Sequence, residues 1–436
     1  MRDFLPDDVR RRQYVIGVIA DIYQKYAFEP LETPAVENIE TLQGKYGEEG
    51  DRLIFKILKR GEGAETGQAD LALRYDLTVP LARVVAEYRA KLPKFFKRYQ
   101  VQPVWRADRP QKGRFREFYQ CDVDAIGSTS MTVEAELLSA AADVFLALGF
   151  KDFKIVVNHR KLLNAVLHHA GVPADLHGPG LVVIDKADKI GVDGVRRELA
   201  EKGMSAASAN TLLDQLSSTP PPDLAAWFDQ QAAVLNEDGK AGLEDLRQIF
   251  SLCRNTSAGP HLALDRSLAR GLSYYTGPIF EIRVADLAGS LGGGGRYDDL
   301  VGMFSGEQVP ASGISLGLER ILVVMGERKM FPASVVSAPA DVMVVQWFAN
   351  RTDLYLAFAT ELRRAGLRVE LYPDAPAEDG KKVGDRQFKY AAARGIPFVA
   401  VIGADELAHG TVAIKNMQTG EQRSVARAEV TKWLSS

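Results

Sequence analysis

Residues 104–124 read VWRADRPQKGRFREFYQCDVD, a stretch that gathers guanidinium, amide, carboxylate and aromatic side chains within a short span. An apolar, strand-like start leads to Arg106. A loop rich in Arg and Lys follows, with one glycine, Gly113, and an aromatic return ends in Gln120, Asp122 and Asp124. The pattern predicts a hairpin with a cationic tip and a polar floor. A guanidinium carried on a strand is held in fixed orientation, which suits Arg106 to charge-assisted bonds with a phosphate oxygen. The same arginines also fit a solvated ion-pair surface, and the stretch by itself leaves both readings open. From Arg83 to Arg116, eleven Lys and Arg stand against two acidic residues, Glu87 and Asp108, in a chain of formal net charge −3. Tyr99, Trp105, Phe115 and Phe118 interleave them, a composition that suits phosphate neutralisation with base stacking.

Further groups add to this chemistry. LALRYDLTVP carries Asp76 and Thr78 just ahead of a helix that Pro80 is expected to open at its first helical position, where either residue also serves as a plain cap. In LARGLSYYTG, Arg270 and Gly271 precede Tyr274 and Tyr275, and an alternating strand runs from Ile279 to Val284. A tyrosine pair is ordinarily core with one wet hydroxyl, whereas a charged Arg on a sheet floor asks for an anionic partner. SGISLGLERILVVM, residues 312–325, reads as a strand turning into a helix, with Gly313 and Gly317 allowing a close crossing. Arg320, early in that helix, then points over the same sheet face as Arg106 and Arg270. Gly292 to Gly295 lack the following GKS or GKT of a phosphate loop, so a tight hairpin or close backbone approach to a ligand explains them better. His168 and His169 are adjacent on a helix and cannot face one site together, and the two cysteines, Cys121 and Cys253, cannot build a zinc cluster or disulfide framework.

These side chains need a scaffold. At 436 residues the chain has room for two or three domains, and 46% hydrophobic with 25% charged residues is ordinary globular composition. No run approaches the ~18 apolar residues of a membrane span, and the start MRDFLPDDVRRR has no apolar signal-like core, so a cytoplasmic chain is expected. Asp7 and Asp8 mark the start of a first helix of about 18 residues, with Val9, Ile16, Ile19, Tyr23 and Tyr26 in phase. Phe28 to Thr33 reads as a strand stopped by Pro34. Thr132 is expected to cap a core helix, Phe153 to Val157 and His261 to Leu264 to be strands, and about 160–259 to be a helical insertion. The expected organisation is a unit over 1–328, a linker over 329–340 and an α/β unit over 341–436. In the last unit, strands alternating with helices predict a small parallel or mixed sheet. Its Lys381, Lys382, Arg386 and Lys389 form either a solvated face or a nucleic-acid contact.

The segment ending at Pro34, the VWRADRPQKGRFREF hairpin and GISLGLERI resemble, in order, the three motifs of class II aminoacyl-tRNA synthetases. LARGLSYYTG, LRYDLTVP and REFYQCDVD are similar to the histidyl-tRNA synthetase family in particular, and the likeness spans essentially the whole chain. That resemblance implies an α+β catalytic domain with an antiparallel sheet flanked by helices, a helical insertion and a C-terminal α/β anticodon-binding domain. It implies ATP-dependent activation of L-histidine and transfer of the histidyl group to the 3′ end of tRNA(His). A homodimer formed around Pro34 and Mg²⁺ bridging the outer phosphates of ATP come with it. Arg106 would hold the α-phosphate and the substrate carboxylate, with Arg270 the catalytic cation opposite, also on the histidine. Arg320 would hold the terminal phosphate, Arg114 would assist ATP binding, Phe118 would stack on adenine and Glu117 would lie near its amino group. Asp76, Thr78 and Gln120 would take the α-amino group, and Asp124, Tyr274 and Tyr275 the imidazole. A site built to hydrogen-bond a side chain rejects analogues lacking those groups strongly, so no editing domain is required. Gln111 and Arg116 would meet the tRNA acceptor end, and Cys121 receives no role. Two other readings are a non-catalytic regulatory relative in histidine biosynthesis and a neighbouring class II synthetase. Arg106, Arg270, Arg320 and the C-terminal unit speak against the first, and LARGLSYYTG against the second.

Overall fold

The computed structural model describes residues 1–109, 113–217, 223–269, 274–333, 335, 338–376 and 381–434. Gln111 and Arg270 fall outside the described residues. The chain divides into two compact units, Met1–Phe331 and Pro332–Ser436.

The first unit is built on an eight-stranded sheet in the spatial order Glu29–Pro30, Phe96–Trp105, Glu117–Ile126, Ala311–Gly317, Gly292–Arg296, Pro278–Arg283, Lys154–His159 and Leu262–Leu264. The six inner strands pair antiparallel, and each two- or three-residue edge strand pairs parallel. Antiparallel pairing lets one face pack on helices while the other carries polar groups. On the helical face, Val15 and Ile19 of Pro6–Lys25, Leu137 to Phe145 of Thr132–Ala147 and Ile321 of Leu318–Glu327 share one core with Cys121, Val123, Ile314 and Leu316. Pro6 opens the first helix, Asp7 and Asp8 sit in its first turn and Lys25 in its last, which complements the helix dipole over its 20 residues.

Four local expectations are corrected. The strand expected over Phe28 to Thr33 reduces to Glu29–Pro30, because Thr33 bonds side chains of the next strand rather than its backbone. Thr132 does not cap its helix. It is the first helical residue, and Ser130 Oγ accepts its N–H at 3.3 Å. Arg106 lies one residue past its strand, although its N–H still donates to the Arg116 carbonyl at 2.9 Å across the hairpin. Gly292 to Gly295 do not form a tight hairpin turn: they are an interior strand of the sheet, which leaves close backbone approach as the reading that fits them.

The insertion leaves the sheet after Lys154–His159 and returns at Leu262–Leu264, beside the strand it left. His159 joins the two layers: Nδ1 accepts the Lys161 N–H at 3.0 Å, and this leaves Nε2–H to donate to Asp245 at 3.1 Å on the Glu237–Cys253 helix. That helix crosses so closely that a Cβ on Gly242 would lie 3.0 Å from His159 Nδ1.

The second unit has a five-stranded mixed sheet in the order Val369–Leu371, Val342–Val344, Phe398–Val401, Thr411–Asn416 and Gln422–Ala426, parallel at one end and antiparallel at the other. The apolar stripe Tyr355, Phe358 and Leu362 of the Thr352–Arg364 helix covers one side, and Ala391 of the Lys381–Ala393 helix belongs to the core on the other. Lys381 and Lys382 open that helix, with side chains outside the description. Arg386 and Lys389 are described.

Candidate active site

Strand register assembles the floor of the site. Arg98, Gln100 and Gln102 of Phe96–Trp105 face Asp124, Asp122 and Gln120 of Glu117–Ile126, and these in turn face Gly313, Ser315 and Gly317 of Ala311–Gly317. Side chains alternate along a strand, so all nine positions present one face, opposite to Cys121 and Val123. The buried Arg98 guanidinium lies 2.8 Å from Asp124 and 3.9 Å from Asp122, while the Tyr297 hydroxyl donates to Asp124. Gly313 is needed beside this pair, since a Cβ there would stand 1.9 Å from Asp124 Oδ1.

Above the floor opens a cavity of about 250 Å³. Arg106, Arg114 and Arg320 bring three guanidinium groups to its wall, and Phe118 adds an aromatic face. Asp76, Thr78, Gln120, Tyr274 and Tyr275 line the remainder, next to Leu291, Gly292 and Gly293. Nine of the residues singled out in the sequence thus converge. Glu117, Arg116 and Asp124 do not line the cavity: Arg116 is exposed with Nε donating to the Asp108 carbonyl at 3.3 Å, Glu117 is half-buried, and Asp124 is sealed in the floor by Arg98 and Tyr297.

Hydrogen bonds fix several of these groups before any ligand arrives. Arg106 Nε donates to the Tyr75 carbonyl at 3.0 Å, and its guanidinium lies between the Tyr75 and Phe118 rings, 4.4 and 5.2 Å from their centroids. Asp76 accepts from Tyr46 Oη at 2.9 Å, from the Val79 N–H at 3.1 Å and from Tyr274 Oη at 3.3 Å. The helix begins at Thr78, two residues before Pro80 and with Leu77 as its N-cap, so Thr78 is no cap; Asp76, one residue ahead of Leu77, ties down the first turn through the Val79 N–H and also lines the cavity. The amide of Gln120 donates to Ser315 Oγ at 2.7 Å, and its carbonyl oxygen is buried with no donor among the described residues, which leaves it able to accept from a ligand.

Burial shapes the charges. Desolvation pushes the Asp76 carboxyl up against the opposing pull of Val79 N–H, Arg106 and its tyrosine donors. Asp122 is pushed up to about 7, chiefly by burial, with Arg98 working the other way and Asp124 adding to it. Glu319, which lines the cavity and accepts the Tyr119 N–H at 3.0 Å, is likewise raised by burial to about 7. Clustered carboxylates shifted in this way by burial and a specific cation are typical of functional sites.

Sequence reading missed Tyr46, Tyr297, Ser315 and Glu319, and counted Arg98 only as one positive among eleven. Only Glu319 had a local signal, standing next to Arg320 in GLER. The others acquire their meaning through partners distant in sequence.

A family model described as histidyl-tRNA synthetase matches residues 1–321, and one described as an anticodon binding domain matches residues 341–436. The chain is similar to a histidine–tRNA ligase of Flavobacterium johnsoniae, 42% identical with 97% of this chain and 95% of the relative covered. A histidine–tRNA ligase of Porphyromonas gingivalis is 43% identical, with 97% and 95% covered. Among solved structures, the histidyl-tRNA synthetase of a Nostoc species matches with a TM-score of 0.82 at 31% identity, covering 100% of this chain and 97% of that one.

Proposed function

The chain belongs to the histidyl-tRNA synthetase family, and from that premise we propose how its cavity activates L-histidine with ATP and passes the histidyl group to tRNA(His). The histidine carboxylate attacks the α-phosphate, pyrophosphate leaves, and a ribose hydroxyl at the tRNA 3′ end then attacks the adenylate carbonyl and expels AMP. Transfer at phosphorus of this kind draws on positioning and charge neutralisation more than on covalent help. The observation that carries the reading is the convergence of Arg106, Arg114 and Arg320 with Asp76, Gln120 and Tyr274 around one cavity.

In this reading Arg106, already held by Tyr75, neutralises charge between the α-phosphate and the carboxylate. Arg320 and Arg114 take outer phosphates, and Phe118 takes adenine. Gln120 and Asp76 receive the α-ammonium, Thr78 assists, and Tyr274 and Tyr275 border the imidazole, with Asp124 acting from the floor beneath. Arg270 as the opposing cation, Glu117 near adenine, and Gln111 and Arg116 at the acceptor end remain assignments drawn from the family likeness. Mg²⁺ would travel with the triphosphate and ease its charge. No cluster of three or more His, Cys, Asp or Glu that could hold a metal occurs among the described residues. Phosphate oxygens and water would then supply most ligands, as is usual for Mg²⁺ with nucleotides, and Asp108 at the cavity wall is a carboxylate candidate.

A cytoplasmic homodimer completes the proposal. Val36, Leu58 and Leu71 are exposed on the small sheet Val36–Asn38, Ala69–Leu73 and Lys56–Leu58, which is apolar surface a second copy would cover. Among the described residues no helix is long and apolar enough to cross a membrane. The test is ATP–pyrophosphate exchange with each amino acid in turn, followed by charging of tRNA(His). Exchange that depends on histidine alone is expected, and histidine binding without exchange would instead indicate a non-catalytic regulatory relative.

A further inference from the structure

Behind the substrate-facing side of the hairpin lies a column of alternating cations and rings. The Arg2 guanidinium sits 4.3 Å from the Phe4 ring centroid and 4.7 Å from that of Phe115. Arg12 sits 3.6 Å from Phe4 and 4.7 Å from Tyr119. The order is therefore Phe115, Arg2, Phe4, Arg12, Tyr119, and both ends of the column belong to the hairpin. Arg12 also approaches Glu319 at 3.8 Å, and Glu319 in turn accepts the Tyr119 N–H.

Every anchor is one residue away from a group that faces the cavity. Phe115 lies next to Arg114, Tyr119 lies between Phe118 and Gln120, and Glu319 precedes Arg320. An anchor behind Phe115 and Tyr119 restrains the exposed, cationic side of the hairpin, where Arg114 and Arg116 would otherwise keep more conformational freedom. Met1–Leu5 has no regular secondary structure, yet Phe4 is half-buried within the column.

We propose that Met1–Leu5 is a strap that positions the hairpin tip for ATP, with Phe4 as its central ring and Arg2 and Arg12 as its cationic rungs. This rests on the reading of the cavity as an ATP site. Phe4, Arg2 and Arg12 are positioning residues: Arg2 and Arg12 touch Phe115, Tyr119 and Glu319, the sequence neighbours of Arg114, Phe118 and Arg320, and Phe4 joins the two cations.

The test combines Phe4→Ala, Phe4→Trp and Arg2→Ala in the full chain, read by histidine-dependent pyrophosphate exchange and by trypsin cleavage after Arg114 or Arg116. Phe4→Ala removes two cation–ring interactions and is expected to raise the KM for ATP roughly five- to thirtyfold. The KM for histidine should stay within about twofold, since the histidine groups are held by the floor. Phe4→Trp, which keeps a ring, should restore the wild-type KM, and Phe4→Ala should be cut faster at the tip. An unchanged KM for ATP, or equal rises for ATP and histidine, overturns the proposal. Should Phe4→Ala melt early, Arg2→Ala at an exposed position decides, and an unchanged KM for ATP there overturns it equally. Wild-type protein without exchange would refute the ATP reading instead, while the cleavage comparison would still judge the strap.

Discussion

Asp124 is the residue whose chemistry the structure changes most. Family likeness assigns it to the imidazole, yet it lies in the floor, 2.8 Å from the buried Arg98 and bonded by Tyr297. Truncating it would leave the buried Arg98 only the more distant Asp122 as a counter-charge, and breaking a buried pair costs up to about 3–5 kcal/mol, so Asp124→Ala confounds folding with recognition. Asp124→Asn keeps the volume and is the cleaner probe. Its KM for histidine is expected to rise about tenfold or more, with the KM for ATP within about threefold, both read by pyrophosphate exchange. A wild-type KM for histidine would remove Asp124 from recognition. Glu319 makes a second prediction, about pH. Its folded value of about 7 lies above its unfolded value of 4.5, so folding favours the protonated form. The stability this gives is fully present below pH 4.5 and is lost as pH rises through about 7. Asp122 contributes with the same sign. Glu319→Gln cannot ionise, so between pH 5 and 8 its thermal stability should decline less than that of the wild type, by up to ~3 kcal/mol. Parallel pH profiles would show that Glu319 is not buried as a neutral acid.

At the scale of elements, the Ala311–Gly317 strand works by what it lacks. A methyl on Gly313 would meet Asp124 Oδ1 at 1.9 Å and the Val123 carbonyl at 2.9 Å, backbone and ion-paired atoms that cannot yield. Gly313→Ala is therefore expected to lower stability by about 1–3 kcal/mol and to raise the KM for histidine more than that for ATP. Gly317→Ala, whose Cβ would meet nothing closer than 3.5 Å, should melt close to wild type. Equal melting temperatures for the two variants would contradict the packing. The same strand explains what was legible in the sequence. The hairpin, the Arg320 helix and the paired tyrosines announce themselves within a dozen residues, because periodicity and turn chemistry are local. Arg98 was not legible: its partners sit 24 and 26 positions on and are chosen by register. Asp76 draws its donors from Tyr46 and Tyr274, which only the closed fold brings together. The glycine strand deceived for a related reason. Propensity argues against four glycines in a strand, yet a Cβ on Gly294 would lie 2.0 Å from the Gly313 carbonyl, so the neighbouring strand demands them.

For the whole molecule, the residues proposed for adenylate chemistry all belong to Met1–Phe331, whereas the match to an anticodon binding domain covers 341–436. Separate folding cores imply separable effects on the two half-reactions. The second unit's Lys381–Ala393 helix exposes Arg386, whose side chain is 79% accessible and only 3.9 Å at closest from Asp374, and carries Lys389 three residues on. A surface pair so loosely held contributes little to folding, so its cost in stability on reversal is small. Phosphate binding by such side chains gives affinity that falls with salt, without choosing the sequence. The double change Arg386→Glu with Lys389→Glu is thus expected to leave histidine-dependent pyrophosphate exchange within about twofold of wild type. The KM for tRNA(His) should rise about tenfold or more, and its salt dependence should flatten by roughly one unit of slope for each phosphate left unneutralised. Charging assays at two salt concentrations beside the exchange assay decide it. Equal losses in both half-reactions would mean that the second unit supports the catalytic one, and an unchanged KM for tRNA would leave this helix as solvated surface.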